Sequence, residues 1–349
     1  MKKQIMAGSL AIGGGAPVTI QSMTDTKTSD VRETAAQINR LAELGCDIVR
    51  VAVPDMESAD AIFDIKAKIT IPLVADIHFD HRLALRAAEA GADKIRINPG
   101  NIGGDENVHA VAEICRRKNI PIRIGVNGGS VSKDIIGKHG GLTPEVMLES
   151  ALGHIRLLNK FDFDDICVSV KTSNVPLTIA SYRLLSESTG YPLHLGITEA
   201  GTEYMGTIKS SVCIGALLAD GIGDTIRVSL TAPPEREVEA AIAILRALRI
   251  RTGAELISCP TCGRCRIDLA AIAHEVERRL GTLGRDICVA VMGCAVNGPG
   301  EASRADFGIA GGDGEGVLFR KGKIVKKAPM GRLIDELFEI INSSGEEEN

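Results

Sequence analysis

The chain has 349 residues, 44% apolar and 24% charged, with 40 basic and 45 acidic side chains and a formal net charge of −5. That composition is ordinary for a globular protein. At roughly 100–200 residues per domain it fits two domains, or one large barrel with an appendage. The acidic balance, 3% aromatics and no Trp speak against nucleic acid as a partner. No run approaches the about 18 uninterrupted apolar residues of a membrane span, so no membrane partner is expected either.

The opening stretch, MKKQIMAGSLAIGGGAP, reads as a β-hairpin, because its apolar run is too short and too Gly-rich for a secretory signal. Short β-branched runs follow at 18–23, 48–53, 73–77, 94–98, 120–126, 165–171, 192–197 and 225–230. Helical patterns lie between them near 30–45, 56–68, 80–90, 105–118, 144–160, 175–188, 204–219 and 234–250. In TAAQINRLAEL (34–44) the apolar residues recur at i, i+3 and i+4, as in a helix packed on a sheet. Eight strands alternating with eight helices predict an α/β fold, a (β/α)8 TIM barrel over 1–252. A doubly wound open sheet is the alternative, weakened because no G-x-G-x-x-G follows a first strand.

After about 253 the rhythm changes. SCPTCGRC leads into a helix near 266–280, and a strand follows at 287–292. Then come a Gly/Pro turn, short strands around 306–327 and a last helix near 331–342. This predicts a small α+β domain over 253–349, ending in a polar, frayed SSGEEEN tail.

Side chains alternate between the two faces of a strand. In IRIN (95–98), IRIGVN (122–127), IRVS (226–229) and VRV (49–51), the Ile and Val residues share one face. Arg96 and Asn98, Arg123 and Asn127, Arg227 and Ser229, and Arg50 take the other. Ser169 and Lys171 share a face, as do Asp76 and His78. In a barrel the apolar face packs on the helices and the polar face points into the lumen, with the active site at the C-terminal ends of the strands. Four Arg and Lys171 would then converge on one spot, where unpaired charge is strongly destabilising. A multiply anionic ligand, a phosphate or diphosphate, would neutralise them, and Arg forks suit phosphate oxygens. Asp76, His78 and Glu199, on the same rim, are the proton-transfer candidates.

Nine cysteines are spread along the chain. Cys46, Cys115, Cys167, Cys213 and Cys288 sit in apolar or helical contexts and read as buried small residues. Cys259, Cys262, Cys265 and Cys294 cluster, which in a chain without a secretory signal points to a reduced, cytoplasmic compartment and a metal site. The C-x-x-C at 259–262 joins Cys294 within GCAVNGPGE. Three thiolates from two turns can hold a metal centre, and spacing leaves both structural zinc and iron–sulfur open.

The segments PVTIQSMTDTKTSD, VRVAVPD, VADIHFD, IRINPGN, IRIGVNGGS, HLGITEAG, SCPTCGR and VMGCAVNGPGEA together resemble the bacterial 4-hydroxy-3-methylbut-2-enyl diphosphate synthase family, in its two-domain form. The resemblance covers about residues 4–342 and implies a [4Fe–4S] cluster held by Cys259, Cys262, Cys294 and Glu301, with Cys265 a bystander or a substitute for Glu301. It implies 2-C-methyl-D-erythritol 2,4-cyclodiphosphate as substrate, opened at C2 and stripped of its C3 hydroxyl as two electrons are added. Diphosphate binding falls on Arg50, Arg96, Arg123, Lys171 and Arg227, supported by Asn98, Asn127 and Ser229. Glu199 would give the proton, and Asp76 and His78 would line the site. Reduced ferredoxin or flavodoxin is the implied donor, and a homodimer the implied assembly, with the cluster domain of one chain over the barrel of the other. Two other readings are a non-redox diphosphate-handling barrel with a zinc-stabilised tail, akin to pterin-diphosphate-using synthases, and a metal-binding module without activity.

Overall fold

The structure, a computed structural model, describes residues 2–294 and 302–346. The chain divides into two units, 1–250 and 251–349.

The first unit opens with the hairpin β1 (Gln4–Ala7) and β2 (Leu10–Gly13). The barrel strands are β3 (Thr19–Met23), β4 (Ile48–Val53), β5 (Leu73–Ile77), β6 (Lys94–Ile97), β7 (Ile122–Asn127), β8 (Ile166–Lys171), β9 (His194–Leu195) and β10 (Thr225–Ile226). All pair in parallel in the order β8-β7-β6-β5-β4-β3-β10-β9, and a bridge from Val168 to Leu193 joins the two ends of that order. The helices are α1 (Val31–Glu43), α2 (Met56–Lys66), α3 (His81–Glu89), α4 (Asp105–Lys118), α5 (Lys133–His139), α6 (Pro144–Asn159), α7 (Val175–Ser188), α8 (Glu203–Ala219) and α9 (Pro234–Ala247). The expected TIM barrel is therefore the fold.

Alternation explains why it closes. Val49, Val51, Leu73, Ala75, Ile95, Ile97, Ile122, Ile124, Val168 and Val170 form one core with α1–α4 and α6–α9. Fully burying each large aliphatic side chain contributes about 1.5–3 kcal/mol. Of the lumen-facing residues, Ile48, Val74 and Cys167 instead pack on Ile5, Ala7 and Ile12 of the hairpin. These three sit near the start of their strands, so the hairpin plugs the N-terminal end of the barrel and leaves entry to the other.

Three elements of this unit depart from expectation. The helix α5 has only seven residues and is begun by Ser132, which accepts from the Ile135 N–H; that is too short for helical periodicity to reveal. The ladders of β9 and β10 cover two residues each rather than six. Immediately after β9, Gly196 takes a φ of +153°.

The second unit holds β11 (Glu255–Ser258), β12 (Cys288–Met292), β13 (Phe307–Gly311), β14 (Glu315–Arg320) and β15 (Lys323–Pro329), paired in chain order. The first three strands run parallel and the last two antiparallel. Helices α10 (Leu269–Leu280) and α11 (Leu333–Glu346) pack Val276, Leu280, Leu337 and Ile341 on Val289, Val291, Phe307 and Ile309. The four-residue strand β11 was not foreseen from the sequence.

Candidate active site

At the C-terminal ends of the barrel strands lies a cavity in two adjoining parts, of about 360 and about 190 Å³. The smaller is lined by Arg50, Arg96, Arg123, Lys171 and Arg227, together with Asp76, His78, Asn127 and Ser229. The larger shares His78, Arg96 and Asn127 and adds Asn98 and Glu199. All eleven barrel residues singled out from the sequence thus line one cavity.

Few carboxylates answer these cations. Asp76, 5% exposed, accepts from Arg96 Nη1 at 2.9 Å and lies 3.7 Å from Arg50 Nε and 3.5 Å from His78 Nε2. Burial alone would raise its pKa, but Arg50, the His78 hydrogen bond and Arg96 hold it far below the usual carboxylate range. Arg96 Nη1 also meets His78 Nε2 at 2.9 Å. Arg123, 2% exposed, donates to Ser169 Oγ at 2.6 Å, and Arg50 points Nε and Nη2 at Met23 Sδ.

Burial, and then the neighbouring cations, push Lys171 well below its ordinary value and Arg123 down to about 10. Arg50 is pushed down too, by burial and by Arg227, Arg123 and Arg96, against the pull of Asp76. Guanidinium groups stay protonated in proteins. The downward push comes first from burial and then from mutual repulsion, and a bound anion would offset both by favouring the charged forms.

Two glycines make room for this ring. A Cβ on Gly125 would stand 2.6 Å from Arg96 Nε, and one on Gly196 would stand 2.6 Å from Lys171 Nζ. Glu199 takes a left-handed backbone, φ +54°, as does exposed Phe79, φ +64°, next to His78. Such conformations cost of order 1–3 kcal/mol each in a non-Gly residue and gather at functional sites.

Three further residues lie around this ring: His194, which the strand phase of HLGIT places on the polar face with Gly196 and Thr198, and Lys94 and Glu237, which sequence reasoning missed. Lys94 and His194 are fully buried, and neither Nζ nor either ring nitrogen has a hydrogen-bond partner among the described residues. Strand phase could have found Lys94 as it did His194, since Lys94 alternates with Arg96. The third, Glu237, is 5% exposed on α9 and approaches Arg227 to 3.3 Å.

Burial lowers Lys94 to about 8 from 10.5. Between those values the unfolded chain binds the extra proton, so stability rises with pH across that window. Lys94→Met is expected to abolish that rise and to stabilise the barrel near pH 7 by on the order of 3 kcal/mol. Thermal unfolding of both proteins near pH 7 and near pH 9.5 checks this. A variant that melts below the parent near pH 7 would mean that Lys94 has a counter-charge.

In the second unit, Cys259 follows β11 and Cys294 lies two residues beyond β12, at the same ends of neighbouring parallel strands. The Gly293 N–H donates to Cys259 Sγ at 3.2 Å. Cys259, Cys262, Cys265 and Cys294 are thiols, and Cys262 is exposed. Hydrogen bonds from Arg264 hold the Cys262 thiol below its ordinary value. Cys265 Sγ instead donates to the Ile267 carbonyl at 3.2 Å. Among the described residues no three His, Cys, Asp or Glu side chains converge as metal ligands, and Glu301 lies outside those residues. Thiols at adjacent strand ends, one already accepting an N–H···S bond, are chemically suited to a soft metal or a cluster. Cys288, expected to be buried, is half-buried.

Residues 2–242 match the GcpE TIM-barrel domain, and residues 255–343 the GcpE protein C-terminal domain. A 4-hydroxy-3-methylbut-2-en-1-yl diphosphate synthase (flavodoxin) of Caldicellulosiruptor saccharolyticus is 60% identical over 343 residues, covering 98% of this chain and 99% of that protein. The protein of the same name from Clostridium perfringens is 58% identical, covering 98% of each. Among solved structures, dihydropteroate synthase of Yersinia pestis superposes with a TM-score of 0.50 at 15% identity, over 72% of this chain and 100% of that one. That last likeness is one of fold alone.

Proposed function

The chain belongs to the GcpE family, and from that premise we infer that it catalyses the reductive ring opening and dehydroxylation of 2-C-methyl-D-erythritol 2,4-cyclodiphosphate to 4-hydroxy-3-methylbut-2-enyl diphosphate. It is an iron–sulfur oxidoreductase of isoprenoid biosynthesis. The observation that carries the reading is the smaller part of the cavity, where, among the described residues, Arg50, Arg96, Arg123, Lys171 and Arg227 face one lining carboxylate, Asp76. A dianionic cyclic diphosphate supplies the missing charge. As its ring opens, the diphosphate oxygen leaving C2 gains negative charge beside donors already in place, which is where preorganised cations help most.

The remaining residues divide the work. Asp76, held ionised by its neighbours, orients Arg96 and Arg50 and is a poor proton donor. Glu199, exposed on the rim of the larger part, gives the proton with which the C3 hydroxyl departs as water. His78, half-exposed and bonded to Arg96, lines the path between the two parts. Asn98, Asn127 and Ser229 add neutral hydrogen bonds.

In this reading 1–252 binds substrate and 253–349 carries the redox centre. Cys259, Cys262, Cys294 and Glu301 hold a [4Fe–4S] cluster, which when bound supplies electrons one at a time. Flavodoxin is the donor, as the names of the curated relatives support. The enzyme works in the cytoplasm as a homodimer, one chain's cluster domain closing the partner's barrel mouth. An exposed apolar face on α8, formed by Tyr204, Met205, Ile208 and Val212, supports self-association. Among the described residues no helix is long and apolar enough to cross a membrane. The relatives' names favour this reading over a non-redox barrel with a zinc tail.

Anaerobic purification with an absorbance spectrum and an iron and sulfide assay tests it. A brown protein with about four iron and about four sulfide per chain is expected. A colourless protein with stoichiometric zinc, even after anaerobic reconstitution, would sink the reductase reading.

A further inference from the structure

We propose that Glu237 is a positioning residue, a buried carboxylate on α9 that clamps Arg227 and Ser229 into the diphosphate subsite. The inference rests on the function proposed above. Glu237 lies in the first turn of α9, outside every motif that marked the site. Its Oε2 approaches Arg227 Nε at 3.4 Å and Nη2 at 3.3 Å, and accepts from Ser22 Oγ at 3.3 Å. Its Oε1 approaches Arg227 Nη2 at 3.4 Å and accepts from the Leu230 N–H at 3.0 Å. The carboxylate therefore grips the chain on both sides of Ser229, at Arg227 and at Leu230, and ties it to β3 through Ser22.

The spacing to Arg227 is informative. Arg–carboxylate hydrogen bonds shorten to about 2.7–2.9 Å when the pair is fully engaged. At 3.3–3.4 Å the guanidinium is oriented yet not spent. Arg227 and Ser229 both line the smaller part of the cavity, so their unused donors are held toward an incoming phosphate. A merely electrostatic role predicts the opposite outcome: neutralising Glu237 would make the mouth more positive and tighten anion binding.

The test uses the full chain with its cluster reconstituted anaerobically, as parent, Glu237→Gln, Glu237→Asp, Arg227→Met and the Glu237→Gln/Arg227→Met double variant. Turnover of the cyclic diphosphate with a reduced viologen gives kcat and KM, and calorimetry gives the Kd of inorganic pyrophosphate. Glu237→Gln is expected to raise KM and the pyrophosphate Kd roughly tenfold with kcat within about threefold. Glu237→Asp should recover part of the loss. The double variant should be worse than Arg227→Met by less than the factor that Glu237→Gln costs in the parent, because Glu237 acts largely through Arg227.

Unchanged or tighter pyrophosphate binding in Glu237→Gln, or fully multiplicative losses in the double variant, would overturn the clamp. If Glu237→Gln does not fold, an Arg227→Met variant that binds pyrophosphate as tightly as the parent overturns it equally. A parent that binds pyrophosphate but turns nothing over would sink the reductase reading, and a tenfold loss of pyrophosphate binding in Glu237→Gln would still uphold the clamp.

Discussion

Arg123→Met is expected to make the barrel more stable and the binding of diphosphate much weaker. Arg123 is 2% exposed, and its neighbours include Arg96, with Asp76 the nearby carboxylate. Its pKa is pushed down to about 10 from 12.5, first by burial and then by Arg96, a gap worth about 3 kcal/mol against the charged form in the fold. Met keeps much of the volume and removes that burden. The partner it leaves behind, Ser169 Oγ, already reaches the Ile124 carbonyl at 3.3 Å, so little is orphaned. A net stabilisation of about 1–3 kcal/mol near neutral pH follows, as when a buried charge is replaced by an apolar side chain of similar size.

The same change removes a desolvated guanidinium from the anion site. Losing one partner of a buried charged hydrogen bond costs about 2–4 kcal/mol, or about 30-fold to 1,000-fold in affinity. Urea unfolding gives the first quantity and pyrophosphate calorimetry the second. A variant that loses both stability and affinity would place Arg123 in a structural ion pair. One that keeps its affinity would remove it from the subsite.

Cys259→Ala is expected to give a protein that retains no iron after reconstitution and turns over at least 10³-fold more slowly, with its fold intact. Cys259 sits beyond the end of β11 and accepts from the Gly293 N–H, next to Cys294. The sheet order β11-β12-β13 is held by backbone pairing that does not involve the thiol. Far-UV circular dichroism should therefore match the parent. Cys265→Ala is the contrasting case. Its thiol already donates to the Ile267 carbonyl and packs against Gly293, where an added Cβ would stand 2.7 Å from Sγ. That variant should keep its iron, while Glu301→Ala should lose it or hold it loosely. The reverse pattern would make Cys265 the fourth ligand and remove Glu301 from the set.

The barrel and its ligand chemistry were legible in the residues themselves. A period of two along IRIN, IRIGVN and IRVS separates a face that must be buried against helices from a face that cannot be. That alternation alone directs Arg96, Arg123 and Arg227 into one lumen, because a one-residue slip would bury charge against the helix layer and expose Ile and Val. The spacing of Cys259, Cys262 and Cys294 likewise marked a metal-binding locus. What alternation carries is a face, not a partner. Which cation meets Asp76, and which meets Glu237, depends on strand stagger and on how α9 packs on β3, both set by closure of the sheet. Glu237 stayed hidden because a carboxylate in the first turn of a helix reads as a favourable dipole contact. Only packing turns it inward to Arg227. The hairpin plug was hidden in the same way. Ile5 and Ile12 form an ordinary apolar pair until the ring of strands gives them an opening to fill.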